Sequence, residues 1–261
     1  MAVRTELIER GPWLSVGRTR RAEWVRVVVS LPHGPAPALR FLHLSDLHTV
    51  GRPHPVLDHI AARLAVQDFH AVLVTGDLVD DRFDSRRDLP GVAGAVARLR
   101  SRWGTFAILG NHDGDLVGAW LGSLGVVLVS DRHVRLGEGG ETVDLVGLPG
   151  VVREASSVFY DRERDAAVPT VAMSHYPDAI HRLGRLRPDV MLAGHTHGGQ
   201  ISLPGRVPII KHDSLPRHMC QGVHETENGV LVVSRGIGHT VLPIRLFAPP
   251  QVIELVLERE A

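Results

Sequence analysis

A chain of 261 residues, 44% hydrophobic and 22% charged, can bury a sizeable core, and 29 Lys and Arg against 29 Asp and Glu exclude the basic profile of a nucleic-acid binder. The single cysteine, Cys220, excludes an intramolecular disulfide. The longest apolar stretches, such as Val25 to Leu31 and Val126 to Val129, fall far short of the roughly 20 residues that cross a bilayer.

Residues 1–24 mix charge and glycine without clear periodicity; 1–37 reads as a partly extended N-terminal segment and 38–261 as one domain. Arg20-Arg21 is a twin arginine, but Glu23 and Arg26 follow it where an apolar h-region would stand. No signal peptide is therefore expected, and a cytoplasmic location is the expectation.

Further along, five β-branched or apolar runs end in polar residues: Arg40 to Leu44 before Ser45-Asp46, Ala71 to Val74 before Thr75-Gly76-Asp77, Phe106 to Leu109 before Gly110-Asn111-His112, Val168 to Met173 before Ser174-His175, and Val190 to Ala193 before Gly194-His195. Each reads as a buried strand feeding a loop. Pro55 to Gln67 and Val92 to Trp103 carry apolar residues at helical spacing, so the first half predicts alternating strands and helices. Val126 to Val129, Val143 to Leu148, Val230 to Val233 and Val252 to Leu257 follow with little helix between them and predict a second, more antiparallel sheet. The expected architecture is α/β (α+β): two mixed β-sheets packed as a sandwich flanked by α-helices. Segment 203–222, with three prolines, reads as a long loop.

Sixteen histidines are many for this length, and histidine is the commonest metal ligand. Asp46 and His48 stand two residues apart past a strand, where alternate side chains project the same way; a capping Asp beside a surface His is the alternative. Asp77 follows Gly76 at a second strand end and is a candidate bridging ligand, since a carboxylate can bind one cation with each oxygen. Asn111 offers a neutral amide oxygen, its neighbour His112 a general acid or a charge partner for phosphate, and Asp113 a group to orient His112. His175 stands alone on a fourth strand end, where structural histidines are common. His195 and His197, enclosed by Gly194, Gly198 and Gly199, can both face a metal centre while the backbone approaches closely. Together these donors are more than a packed core tolerates without a cation, because buried unpaired polar groups are costly.

In Asp46-x-His48, Gly76-Asp77-x-x-Asp80, Gly110-Asn111-His112-Asp113, His175 and Gly194-His195-x-His197, the sequence resembles the calcineurin-like metallophosphoesterase superfamily. The stretch Gly194 to Gln200 and the tail from Ser234 to Leu246 are similar to the bacterial subgroup named after YkuE and YaeI. The resemblance implies a four-layer metallophosphoesterase fold in which Asp46, His48, Asp77 and His197 hold one metal ion. Asn111, His175 and His195, with Asp77 as bridge, hold a second, and His112 paired to Asp113 assists the leaving group. It implies a phosphodiesterase using metal-bound hydroxide, with phosphomonoesters or a membrane lipid as the alternative substrates. Nitrogen and oxygen donors without thiolate suit Mn, Fe or Zn.

A nuclease is disfavoured by the neutral charge, and a silent scaffold by retention of every ligand. Arg86, His212, His218 and His239 are candidates to reach a small-molecule or lipid-like phosphoester. Trp13, Trp24, Arg18, Arg20, Arg21 and Arg26 could lie on a bilayer as a peripheral contact; an ordinary N-terminal segment is the other reading.

Overall fold

The computed structural model describes residues 1–80, 85–148, 164–211 and 213–260. Its strands, in chain order, are β1 (Ala2–Glu9), β2 (Leu14–Val16), β3 (Glu23–Leu31), β4 (Leu39–Leu44), β5 (Ala71–Thr75), β6 (Thr105–Ile108), β7 (Val127–Leu128), β8 (Arg132–Leu136) and β9 (Val143–Gly147). They continue with β10 (Thr170–Met173), β11 (Val190–Ala193), β12 (Ser202–Leu203), β13 (Val207–Pro208), β14 (Gly222–Thr226), β15 (Gly229–Val233), β16 (Ile244–Leu246) and β17 (Gln251–Arg259). The α-helices are α1 (Val56–Leu64), α2 (Leu89–Val96) and α3 (Asp115–Ser123).

One seven-stranded sheet runs β1-β3-β17-β4-β5-β6-β7, and a six-stranded sheet runs β14-β15-β11-β10-β9-β8. Side-chain alternation explains why the two stack. In β4, Leu39 and Phe41 point into the core between the sheets, while Leu42 and Leu44 point to the other face. That inner core closes against Leu145, Val171, Met173, Val190, Leu192, Val230 and Val232 of the second sheet. The outer face of the first sheet packs on Leu57, Ile60, Val92, Val117 and Leu121 of the three helices. The outer face of the second, through Ala172, Met191 and Leu231, packs on a 3-10 turn at Pro177–Arg182 that supplies Ala179 and Ile180.

Five expectations change in detail. The second sheet is antiparallel only at its edges, β14–β15 and β8–β9; β9, β10, β11 and β15 run parallel. Two strands assigned to it from sequence, β7 and β17, belong to the first sheet. The helix expected over Val92 to Trp103 lies earlier, as α2, and segment 203–222 carries a short hairpin, β12–β13, and a 3-10 turn at Arg217–Met219. Trp24 and Arg26 do not face outward: Trp24 is buried beneath the Arg63 guanidinium, 4.4 Å from its ring, and Arg26 pairs with Glu254 at 3.1 Å and Glu6 at 3.1 Å.

β4, β5 and β6 are parallel, as are β10 and β11. Their C-terminal ends therefore emerge at one end of each sheet, and the loops that follow carry every metal-ligand candidate named above.

Candidate metal centre

Asp46, His48 and His197 form one group of donors, Asp77, His175 and His195 another, with donor atoms in each within 4.8 Å of one another. In the first, His48 Nε2 lies 3.2 Å from His197 Nε2, and His197 Nε2 lies 3.6 Å from Asp46 Oδ1. In the second, His175 Nε2 lies 3.0 Å from Asn111 Oδ1, 3.2 Å from His195 Nδ1 and 3.3 Å from Asp77 Oδ2. Asp77 also lies 3.6 Å from His48 Nε2, so its carboxylate stands between the groups.

The backbone is bent to achieve this. Asp46 (φ 51°), His48 (φ 41°), Asp77 (φ 54°), His195 (φ 69°) and His197 (φ 52°) all adopt the left-handed region. Each such residue costs about 1–2 kcal/mol, and strain of this kind gathers where function over-determines the backbone. Hydrogen bonds hold the bends: Asp46 N donates to Gly76 O at 3.0 Å, His48 N to Asp77 O at 3.0 Å, and Gly238 N to Asp46 O at 2.7 Å. Close approach explains Gly194, where an added Cβ would collide with Ser45 Oγ and the Asp46 carboxylate. Gly194→Ala is expected to cost about 1–3 kcal/mol and to lower bound metal by elemental analysis. Gly122→Ala, on the open side of α3 with nothing within 4 Å, is the control expected to do neither.

The donor set fits a cation. His175 Nδ1 faces the Thr75 carbonyl at 2.8 Å and so carries a proton, which aims Nε2 at Asn111 Oδ1 and Asp77 Oδ2. Both are acceptors, so a neutral ring would set lone pair against lone pair; a proton or a metal ion has to sit there. Without metal, burial opposes the charge on His175, but the Asp77 carboxylate outweighs it and raises the ring to about 9. At Asp77, burial pushes the carboxyl upward, and the charges of His175 and His48 overcome this and hold it well below the usual range. Burial, with Asp77 nearby, pushes Asp46 up. Burial together with the charges of His48 and Arg245 drives His197 well below its ordinary value.

His175 therefore predicts a pH signature. Its folded value lies above the ordinary 6.5, so the stability it adds is complete below about pH 6.5 and is lost as pH rises through 9. Metal-stripped protein is expected to lose on the order of 2–3 kcal/mol over that interval. Loaded protein, with the proton displaced, is not. Thermal unfolding of both forms from pH 6 to 9.5 checks this, and parallel curves would contradict it.

Of the two residues expected to act on the leaving group, His112 lies with His48 and Asp77. Its Nδ1 is 2.7 Å from the Asp80 carbonyl oxygen, and not on Asp113 as expected. The Asp113 carboxylate instead accepts backbone N–H bonds from Leu78 at 2.9 Å, Val79 at 3.3 Å and Gly110 at 2.9 Å, tying the Asp77 loop to the Asn111 loop. Burial and the Asp77 charge push its carboxyl up to about 6 against those donors. Asp113 therefore positions both loops, and it meets His112 only through them.

His239 is half-buried beside the centre, following Gly238, whose Cα packs against Leu47 and His48. Arg86 is exposed on the 3-10 turn Ser85–Arg87. His218, also exposed, faces His224 with ring centroids 6.1 Å apart. Neither has a hydrogen bond or ion pair to the seven donors among the described residues. His212 lies outside the described residues.

Two neighbours of the donors were not given a role from sequence. Asp80 Oδ1 lies 3.3 Å from His48 Nδ1, the carboxylate–imidazole arrangement that orients metal-bound histidines. Arg245, fully buried, places Nη2 3.0 Å from His197 Nδ1, so that Nε2 faces Asp46 and His48. Its other donors reach the carbonyls of Gly238 at 2.7 Å, Arg235 at 2.8 Å and Ala248 at 3.1 Å, and among the described residues no carboxylate pairs with it. Spacing held no sign of that role, because Arg245 and His197 are 48 residues apart.

Comparison with known proteins agrees with this geometry. The profile of the calcineurin-like phosphoesterase family matches residues 39–199, a span that contains all seven donors. Over 227 residues the chain is 28% identical to the uncharacterized metallophosphoesterase YkoQ of Bacillus subtilis, with 82% of each chain covered. It is 26% identical over 233 residues to the phosphodiesterase YaeI of Escherichia coli, covering 85% of this chain and 83% of that one. A bovine transmembrane protein with metallophosphoesterase domain is 30% identical over 246 residues; the match takes in 85% of this chain and 53% of that protein. No helix of the described residues is long and apolar enough to cross a membrane.

Proposed function

Because the chain belongs to the calcineurin-like phosphoesterase family and is therefore a metal-dependent phosphoester hydrolase, we propose that it cleaves phosphodiesters with two divalent transition-metal ions held on either side of Asp77. The supporting observation is the position of Asp77 Oδ2, 3.6 Å from His48 Nε2 in one donor group and 3.3 Å from His175 Nε2 in the other. Asp46, His48, Asp77 and His197 would hold one ion. Asn111, His175 and His195, again with Asp77, would hold the second. Donors of nitrogen and oxygen without thiolate favour Mn, Fe or Zn.

When bound, such ions lower the pKa of a coordinated water and neutralise phosphate oxygens. The remaining work falls to the chain. Asp77 would screen the two cations from each other and, through Oδ1, accepts the His112 N–H at 2.9 Å, fixing that loop. His112, its Nδ1 committed to the Asp80 carbonyl, has Nε2 left to protonate the departing alkoxide as the imidazolium. Asp80 and Arg245 orient His48 and His197.

The diester preference draws its support from the similarity to the phosphodiesterase YaeI. Metal-stripped protein reloaded with Mn, Fe, Zn, Ni or Mg is expected to hydrolyse bis(p-nitrophenyl) phosphate faster than p-nitrophenyl phosphate with at least one transition metal. A faster monoester reaction with every metal would overturn the diester assignment and leave a phosphomonoesterase.

A further inference from the structure

We propose that the protein docks on anionic lipid bilayers through an apolar, cationic rim beside the metal centre, and that the phosphoester it cleaves is carried on that surface. The second half rests on the function proposed above; the first does not. Nine of the sixteen exposed large apolar side chains among the described residues fall in three short segments, 13–16, 203–210 and 241–242. The most exposed are at the segment tips: Val241 at 98%, Val16 at 70%, Trp13 at 63% and Ile210 at 59%. Isolated apolar residues on a surface need no explanation, but a concentration of them marks an interaction site.

The three segments form one surface. β2 pairs with β16, placing Ser15 and Arg245 inward and leaving Val16 outward. Phe247 N donates to Trp13 O at 2.7 Å, Leu246 N to Gln200 O at 3.0 Å, and Ile209 N to Ile201 O at 3.3 Å. Gln200 Nε2 donates to the carbonyls of Thr240 at 3.0 Å and Leu242 at 2.9 Å. Gln200 follows His197 by three residues, and Val241 follows Gly238, which packs on His48. The rim therefore borders the mouth of the metal centre.

Charge selects the occupant. Residues 10–22, 201–219 and 236–250 hold eight Arg and Lys against one acid, Asp213, in a chain whose net charge is zero. Arg206 is matched by Glu23 and Arg245 is buried. For Arg10, Arg20, Arg21, Lys211 and Arg217 no ion pair exists among the described residues, and Arg10 and Trp13 line one open cleft. Where the rim meets the centre, Arg18 Nη1 donates to Arg52 O at 2.9 Å, while its buried Nη2 has no partner among the described residues. Protruding apolar tips ringed by unpaired cations match an interface of acyl chains beneath anionic headgroups. Trp is also the side chain that settles at such a boundary. A broad protein partner on this face would cover the mouth that substrate must enter.

Sedimentation of the metal-loaded protein with vesicles of phosphatidylcholine, with and without phosphatidylglycerol, tests the proposal. Wild type is expected to pellet with the anionic vesicles, less so at high salt, and Val241→Asp and Val16→Asp each to lower the bound fraction at least about tenfold. Both variants are expected to keep wild-type hydrolysis of a soluble diester, which reports folding and the metal centre independently. Failure of wild type to pellet, or pelleting unchanged in both variants, overturns the docking surface. So does a concentration-dependent dimer that the variants dissociate, since a second copy would then be the occupant. Pelleting without metal-dependent hydrolysis upholds docking and sinks the proposed function; hydrolysis without pelleting does the reverse.

Discussion

Asp77→Asn is expected to lower phosphodiester hydrolysis at least about 100-fold, beyond the 10- to 100-fold typical of a lost metal-orienting partner, because Asp77 would touch both ions. The amide keeps the shape of the carboxylate but removes a charge that His175 and His48 both face. Two dications would then confront each other with no anion between them, so bound metal is expected to fall toward one ion per chain. The stripped variant should remain folded. Asp77 there faces the charged His175, whose proton the variant simply releases more readily. Full activity with two ions bound would show that Asp77 is not the bridge.

His112→Ala is expected to cost about 10²–10⁴ in turnover, the range for a positioned general acid, while leaving metal content unchanged. Leaving-group dependence separates this role from a structural one. A p-nitrophenolate departs without help, so its ester should suffer far less than an alkyl ester, whose alkoxide must be protonated. An equal loss on both esters would move His112 from proton donor to phosphate clamp or loop support. Asp113, which ties the Asp77 and Asn111 loops by three backbone bonds, should behave differently: Asp113→Asn is expected to lower stability and metal affinity together.

The donors were legible because each follows a short, mostly apolar run, and a strand buried on both faces gathers most of its polar residues at its end. β4, β5, β6, β10 and β11 all appear where those runs predicted. The parallel centre of the second sheet was not legible. Between β10 and β11 the chain passes through a 3-10 turn, Pro177–Arg182, so the helical spacing that normally announces a parallel crossover is missing there. β1 was hidden for another reason: none of its residues is fully buried, and its charges, Arg4, Glu6 and Glu9, interrupt any alternation. Asp113 was assigned to its sequence neighbour His112. A turn, however, carries its carboxylate back over the loop N–H groups, and only backbone conformation reveals that. Arg245 brings its guanidinium to His197 by tertiary folding alone, which no local pattern encodes.

Titration of stripped protein with Mn²⁺, following bound ion and diester hydrolysis in the same samples, decides whether a dinuclear centre performs the hydrolysis. Two ions per chain are expected, with activity rising as the second site fills. Hydrolysis that survives stripping, or that saturates with one ion bound, would contradict it.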